Sequence, residues 1–144
     1  MLVHQILHSK ASEGVITIPP GTLVSAAAEL MSEKRIGAVI VSKDGKVPAG
    51  ILSERDIVRD LGRRGAGCLS DPVDALMTKE LVSCTTDETG ESVLTKMTEG
   101  RFRHMPVMKG PEMVGLISIG DVVKAQLAEL AMEKEALESM IKGF

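Results

Sequence analysis

The chain has 144 residues and a formal net charge of −3, enough for one ordinary domain or two very small ones sharing a core. That mixed charge argues against nonspecific capture of DNA or RNA, though it leaves room for a local anion site. Two cysteines lack metal-ligand spacing, no run nears the roughly 20 apolar residues that span a bilayer, and the N-terminus has no signal-peptide core. The prediction is a soluble cytoplasmic protein, with no metal site, no membrane contact and no nucleic-acid partner; a Cys68–Cys84 disulfide stays open as an alternative to reduced thiols.

Hydrophobic residues make up 44% of the chain, yet Phe102 and Phe144 are its only aromatics, so a core must form from small aliphatic contacts with Met as filler. In chain order, Val15–Ile18 is a short β-branched run ended by Pro19-Pro20-Gly21. Helical periodicity from Leu23 to Lys34 places Leu23, Ala27, Leu30 and Met31 together. Ala38–Val41 and Ala49–Leu52, parted by Asp44-Gly45, read as a hairpin, and Ser53 can cap a helix that stops near Gly62. The order then repeats: strand Leu81–Cys84, helix Thr89–Thr98, strand Met105–Met108, turn Lys109–Glu112, strand Met113–Ile117 and a helix opening near Gly120. From Val122 to Met140 no Gly or Pro interrupts, and Val123, Leu127, Leu130, Ala131, Leu137 and Ile141 form an apolar stripe longer than one small core covers, which predicts a homodimer contact.

Self-similarity is the strongest signal. Gly50-Ile51-Leu52-Ser53-Glu54-Arg55-Asp56-Ile57-Val58 recurs 65 residues later as Gly115-Leu116-Ile117-Ser118-Ile119-Gly120-Asp121-Val122-Val123. Met31, Ile36 and Val39 match Met97, Phe102 and Met105 at an offset of 66, the extra residue falling in a turn. The doubled Gly-aliphatic-aliphatic-Ser-x-x-Asp element, the segment Arg101-Phe102-Arg103-His104-Met105-Pro106-Val107 and Ala75-Leu76-Met77-Thr78 together resemble the signature of CBS domains. The first copy departs at Ile36–Val41, lacking the Arg-His pair and the Pro. The resemblance implies an α/β (α+β) fold of two βαββα repeats, residues 1–66 and 67–131, packed as a Bateman module, with 132–144 extending the last helix. It implies a stand-alone regulatory module that needs no cofactor, binds an adenosine ligand (AMP, ADP, ATP, NAD(H) or S-adenosylmethionine) and acts through dimer or partner geometry.

Under that resemblance, Asp56 and Asp121 would accept hydrogen bonds from ribose hydroxyls; alternatively each carboxylate merely favours the first turn of its helix. Ser53 and Ser118 at the strand-to-helix junctions cap their helices or turn a hydroxyl to phosphate, beside backbone N–H groups that suit an anion. Arg103 and His104, with Arg55, are the phosphate candidates, against a solvated surface strand. Adenine would lie against Val15, Gly37 and Ala38 in a pocket using Asp121, and against Thr78, Leu81 and Phe102 in one using Asp56, so each pocket would draw on both repeats. The pocket using Asp56 would gain Arg55, Arg103 and His104, where the matching positions of the other copy are Gly120, Gly37 and Ala38, which predicts unequal pockets with phosphorylated ligands favouring Asp56. No Walker-type Gly-Lys-Ser/Thr, nucleophile elbow or triad is present, so the chain reads as a non-enzyme. The competing readings are a dimerisation scaffold with non-functional pockets and a weak nucleotide-hydrolysing enzyme.

Overall fold

The structure, a computed structural model, describes residues 1–10 and 14–143, so Phe144 of the C-terminal extension lies outside it. Among the described residues, five α-helices and five strands follow in the order α1 (Val3–Ser9), β1 (Thr17–Ile18), α2 (Val24–Lys34), β2 (Ala38–Val41), β3 (Gly50–Ser53), α3 (Glu54–Arg64), α4 (Gly90–Gly100), β4 (His104–Lys109), β5 (Glu112–Ser118) and α5 (Ile119–Lys142), with two short 3-10 turns at Ala66–Ser70 and Val73–Ala75. The chain divides into two compact units, Glu13–Val82 with Met108–Val114, and Met1–Ser12 with Ser83–Val107 and Gly115–Phe144. Compact units and sequence repeats are thus different divisions of the chain, because the N-terminal segment joins the second copy.

In the first-repeat unit β2 is central, parallel to β1 and antiparallel to β3. All four β2 residues are buried, and Ile18, Val24, Ala27, Met31, Val39, Val41, Leu52, Ile57 and Val73 form the core. The β2–β3 turn is held by Asp44, whose carboxylate accepts the N–H groups of Lys46 and Val47 at 2.9 Å, while Gly45 takes the positive φ of 77°. α3 runs past Gly62 to Arg64 and is capped by Gly65. It gains that last turn from Arg64, which bridges Asp60 and Asp71 at 2.8 Å each.

The second-repeat unit has a core of Val3, Ile6, Cys84, Val93, Met97, Met105, Val107, Ile117, Val122 and Ala125. The strand predicted at Leu81–Cys84 is reduced to a single parallel bridge between Cys84 and Val107. Proline chemistry explains the loss. In the first copy Ile40 donates its N–H to the Ile16 carbonyl at 3.2 Å, but the matching Pro106 has no N–H to give. Both cysteines are free and buried, so the disulfide is not formed; burial, reinforced by Glu88 and opposed by Lys96, pushes the Cys84 thiol up to about 11.

The helix α1 stands in a place that mirrors part of the first-repeat unit. Val3 donates to the Glu88 carbonyl at 2.8 Å as Val73 donates to Thr22 at 2.7 Å, and Leu2 bridges Thr89 as Pro72 bridges Leu23. Leu7 closes over Gly115 as Met77 closes over Gly50, leaving no room for a Cβ at either glycine. Met1–Lys10 is therefore a third matched pair with Asp71–Glu80, at an offset of 70.

Candidate functional site

Each repeat brings a strand into a helix through Ser-x-x-Asp, and the backbone geometry there is nearly the same in both. In the first, Ser53 at φ −107° and ψ 160° caps α3. Its hydroxyl accepts the Asp56 N–H at 3.2 Å and donates to Asp56 Oδ2 at 3.0 Å, while the Ser53 N–H donates to the same Oδ2 at 2.9 Å. Asp56 is buried, only 7% exposed, and its other oxygen lies 3.4 Å from Arg59 Nη1. Capping is therefore a role that both the serine and the aspartate fill, worth about 1 kcal/mol.

In the second repeat the Ser118 N–H donates to Asp121 Oδ2 at 2.8 Å, and the Ser118 hydroxyl accepts the Asp121 N–H at 3.1 Å. Here an additional cation enters. Lys10 places its ammonium 2.8 Å from Asp121 Oδ2 and donates to the Leu116 carbonyl at 2.8 Å. Burial opposes ionisation of Asp121, but the hydrogen bonds from Lys10 and Ser118, with the Lys10 charge, outweigh it and hold the carboxyl below its usual value. Sequence reading missed Lys10 and Arg59. The signal for Lys10 was present as Val3-x-x-Ile6-Leu7 against Val73-x-x-Leu76-Met77, too short to stand out without the fold.

Of the other predicted residues, Gly37, Ala38 and Arg103 meet these junctions through their backbone and Thr78 joins the strand leading into the first. Ala38 pairs directly with Ser53, and the Gly37 carbonyl accepts the Glu54 N–H at 2.9 Å. The matching Arg103 carbonyl accepts the Ile119 N–H at 2.8 Å. These two helix-start amides, expected to seat an anion, are thus already bonded. Thr78 is exposed and exchanges both backbone hydrogen bonds with Ile51, at 3.0 and 2.9 Å, two residues before Ser53. Arg55 is exposed on the first turn of α3; Leu81 and Val15 are half-buried. In the second-repeat unit Arg103 is exposed, His104 opens β4 half-buried, and Phe102 packs against the core. An open groove of about 500 Å³ between α2 and α3 is lined by Ala28, Met31, Ser32, Arg35, Ile36, Gly37, Glu54, Ile57 and Val58. Of the predicted residues it includes Gly37 alone.

Two α/β cores, each presenting a Ser-caged carboxylate where a strand turns into a helix, define a tandem-repeat protein built on one duplicated motif. The chain belongs to the CBS-domain family, whose profile matches residues 4–63 and 73–128. The mitochondrial CBS domain-containing protein CBSX3 of Arabidopsis thaliana is 36% identical over 121 residues, which is 81% of this chain and 59% of that protein. Another Arabidopsis relative, CBSCBSPB5, is 29% identical over 131 residues, and the chain covers only 24% of it. Among solved structures, a CBS-domain-containing protein from Agrobacterium tumefaciens superposes with a TM-score of 0.83 at 39% identity, covering 88% of this chain and 99% of that one. A CBS domain protein from Pyrobaculum aerophilum complexed with AMP gives 0.76 at 24% identity, covering 92% and 99%. The CBS domain pair of protein MJ0100, in complex with methylthioadenosine and S-adenosyl-L-methionine, gives 0.77 at 21% identity, covering 90% and 98%. These last two share the fold. No helix among the described residues is long and apolar enough to cross a membrane.

Proposed function

We propose that this chain is a non-catalytic sensor of adenosine nucleotides whose ligand occupancy alters the geometry of a homodimer or of a partner protein. The observation that carries the reading is the duplication of a carboxylate, Asp56 and Asp121, held in one orientation by a serine capping box on each copy. An oriented carboxylate at a helix start is repelled by phosphate but suits a ribose diol, which offers two donors to its two acceptors. The adenosine class is supported by the fold-sharing proteins that hold AMP and methylthioadenosine with S-adenosyl-L-methionine. A scaffold with dead pockets would use each carboxylate for its helix cap alone.

The two sites are unequal in this reading. Among the described residues Asp56 is partnered by its own Ser53 cap and by the long contact to Arg59 alone, and the exposed Arg55 follows Glu54 on the same helix turn. Asp121 already holds Lys10. Phosphorylated adenosine ligands therefore engage Asp56 first, with Ser53 and Thr78 contributing and Arg55 meeting phosphate. Val15, Gly37, Ala38 and Leu81, with Phe102, are proposed to line the base, and Arg103, His104 and Ser118 to serve phosphate. Calorimetric titration of ligand-stripped protein with AMP, ADP, ATP, NAD(H) and S-adenosylmethionine, with GMP as control, tests the reading. Saturable heat with at least one adenosine ligand and weaker binding of GMP is expected; no binding by any adenosine ligand to folded protein overturns it.

A further inference from the structure

Seven of the large hydrophobic side chains left exposed by the fold lie on α5. Its first turns bury Val122 and Ala125 in the second-repeat core, and from Leu130 to Gly143 every residue is exposed. Val123, Leu127, Leu130, Leu137 and Ile141 are 42 to 77% exposed. With Lys134 they fall at intervals of 4, 3, 4, 3 and 4 residues. That alternation is the 3.5-residue repeat of a coiled-coil seam, with Leu127, Lys134 and Ile141 at a and Val123, Leu130 and Leu137 at d. A core-facing helix of a lone globular unit has no use for a second stripe of this length.

The charges beside the seam choose the partner and its direction. In a parallel pair of α5 helices Lys134 would stack on Lys134, and Glu133 would face Glu138 in two symmetric contacts. In an antiparallel pair centred on Met132 the layers become Val123 with Ile141, Leu127 with Leu137, and Leu130 with Lys134. Lys124 then faces Glu138 twice, and one Glu133 pair meets at the axis beside the two Lys134 ammonium groups, which offset it. On its own helix Glu138 has only a 3.9 Å contact with Lys134, a loose pairing that a second chain displaces cheaply. We infer that α5 joins α5 of a second copy of this chain as an antiparallel two-helix coiled coil. This deepens the homodimer part of the proposed function and rests on it, and independently of any ligand it gives the dimer a seam and an orientation.

The test uses the full chain. Light scattering behind size exclusion at micromolar concentration is expected to give twice the 15.3 kDa chain mass. Leu130→Cys and Lys134→Cys chains, co-expressed and oxidised, are expected to form a mixed disulfide dimer, and neither variant alone to form one. Peptide mass spectrometry excludes the buried native thiols Cys68 and Cys84. Lys124→Glu is expected to weaken the dimer about tenfold, and Lys124→Glu with Glu138→Lys to recover most of that loss. A monomeric mass, efficient self-linking of Leu130→Cys, or a double charge swap no better than the single overturns the inference. AMP titration of the same samples separates the two ideas. An antiparallel dimer that binds no adenosine ligand defeats the sensor reading alone, whereas a monomer that binds one defeats the seam alone.

Discussion

Asp121 and Asp56 carry similar caps and differ most in their cation, Lys10 at 2.8 Å from Asp121 and Arg59 at 3.4 Å from Asp56. Because Lys10 and Ser118 hold the Asp121 carboxyl below its usual value, the folded protein releases that proton at a lower pH than the unfolded chain. The stability so gained is complete above the ordinary carboxylate range. It is lost as pH falls through the depressed value. Lys10→Ala is therefore expected to lower stability by about 1 kcal/mol at pH 7, since the pair is only partly buried, and by much less at an acid pH below the depressed value, where Asp121 is protonated in the folded and unfolded chain alike. Urea unfolding of both proteins at the two pH values checks this, and an equal loss at both would mean that Lys10 acts through packing alone. The same substitution frees an acceptor, so ribonucleotide affinity at the Asp121 copy should rise. At this scale Ser53, Asp56, Ser118 and Asp121 were legible because duplication exposed them. Lys10 was not, because its segment matches Asp71–Glu80 at a different offset and ends in opposite charge, Lys10 against Glu80.

Helix ends tell how far local patterns reach. α2 and α4 both close on an arginine in the left-handed region, Arg35 at φ 55° and Arg101 at φ 56°, the only non-glycine residues with positive φ among the described residues. Behind each the chain turns back, Ile36 donating to Met31 at 3.0 Å and Phe102 to Met97 at 3.2 Å. An L side chain in that region costs roughly 1–2 kcal/mol, part of which glycine returns as unfolded-state entropy. Arg35→Gly and Arg101→Gly should each raise unfolding free energy by about 0.5 kcal/mol, measured by chemical denaturation; a loss of similar size would show that the arginine side chains hold these turns. Element types were legible wherever periodicity was long, as in α2, α4 and α5. Boundaries failed where distant groups decide them: Arg64 carries α3 past Gly62, and Pro106 reduces the second copy's opening strand to a bridge. α1 carries too few residues for periodicity to reveal, and it forms on contacts to Thr86, Glu88 and Thr89 far along the chain.

At the scale of the molecule, duplication made the fold readable, but not which segments gather around each core, since the Met1–Ser12 segment belongs with the second repeat. That arrangement gives the two carboxylates different surroundings and predicts a staged response to ligand. A ligand that binds only the folded state stabilises it by about 2.7 kcal/mol at a concentration one hundred times its dissociation constant. For a chain of this length that corresponds to a rise of roughly 5–10 °C in the unfolding midpoint. If AMP fills the Asp56 copy first, the midpoint should climb in two stages as AMP increases, the first from Asp56 and the second, at higher concentration, where ribose must displace Lys10 from Asp121. Asp56→Asn separates the stages cleanly. Its amide oxygen still accepts the Ser53 N–H, so the cap survives and the ligand-free midpoint should move little. The charge-assisted bonds to ribose are gone, however, and affinity at that copy should fall about tenfold or more. Differential scanning calorimetry across an AMP series should then show the low-concentration stage removed in Asp56→Asn and retained in Asp121→Asn. Were Asp121→Asn to abolish the first stage instead, Lys10 would have to be part of the ligand's seat and not its competitor, and the order of the two sites would reverse.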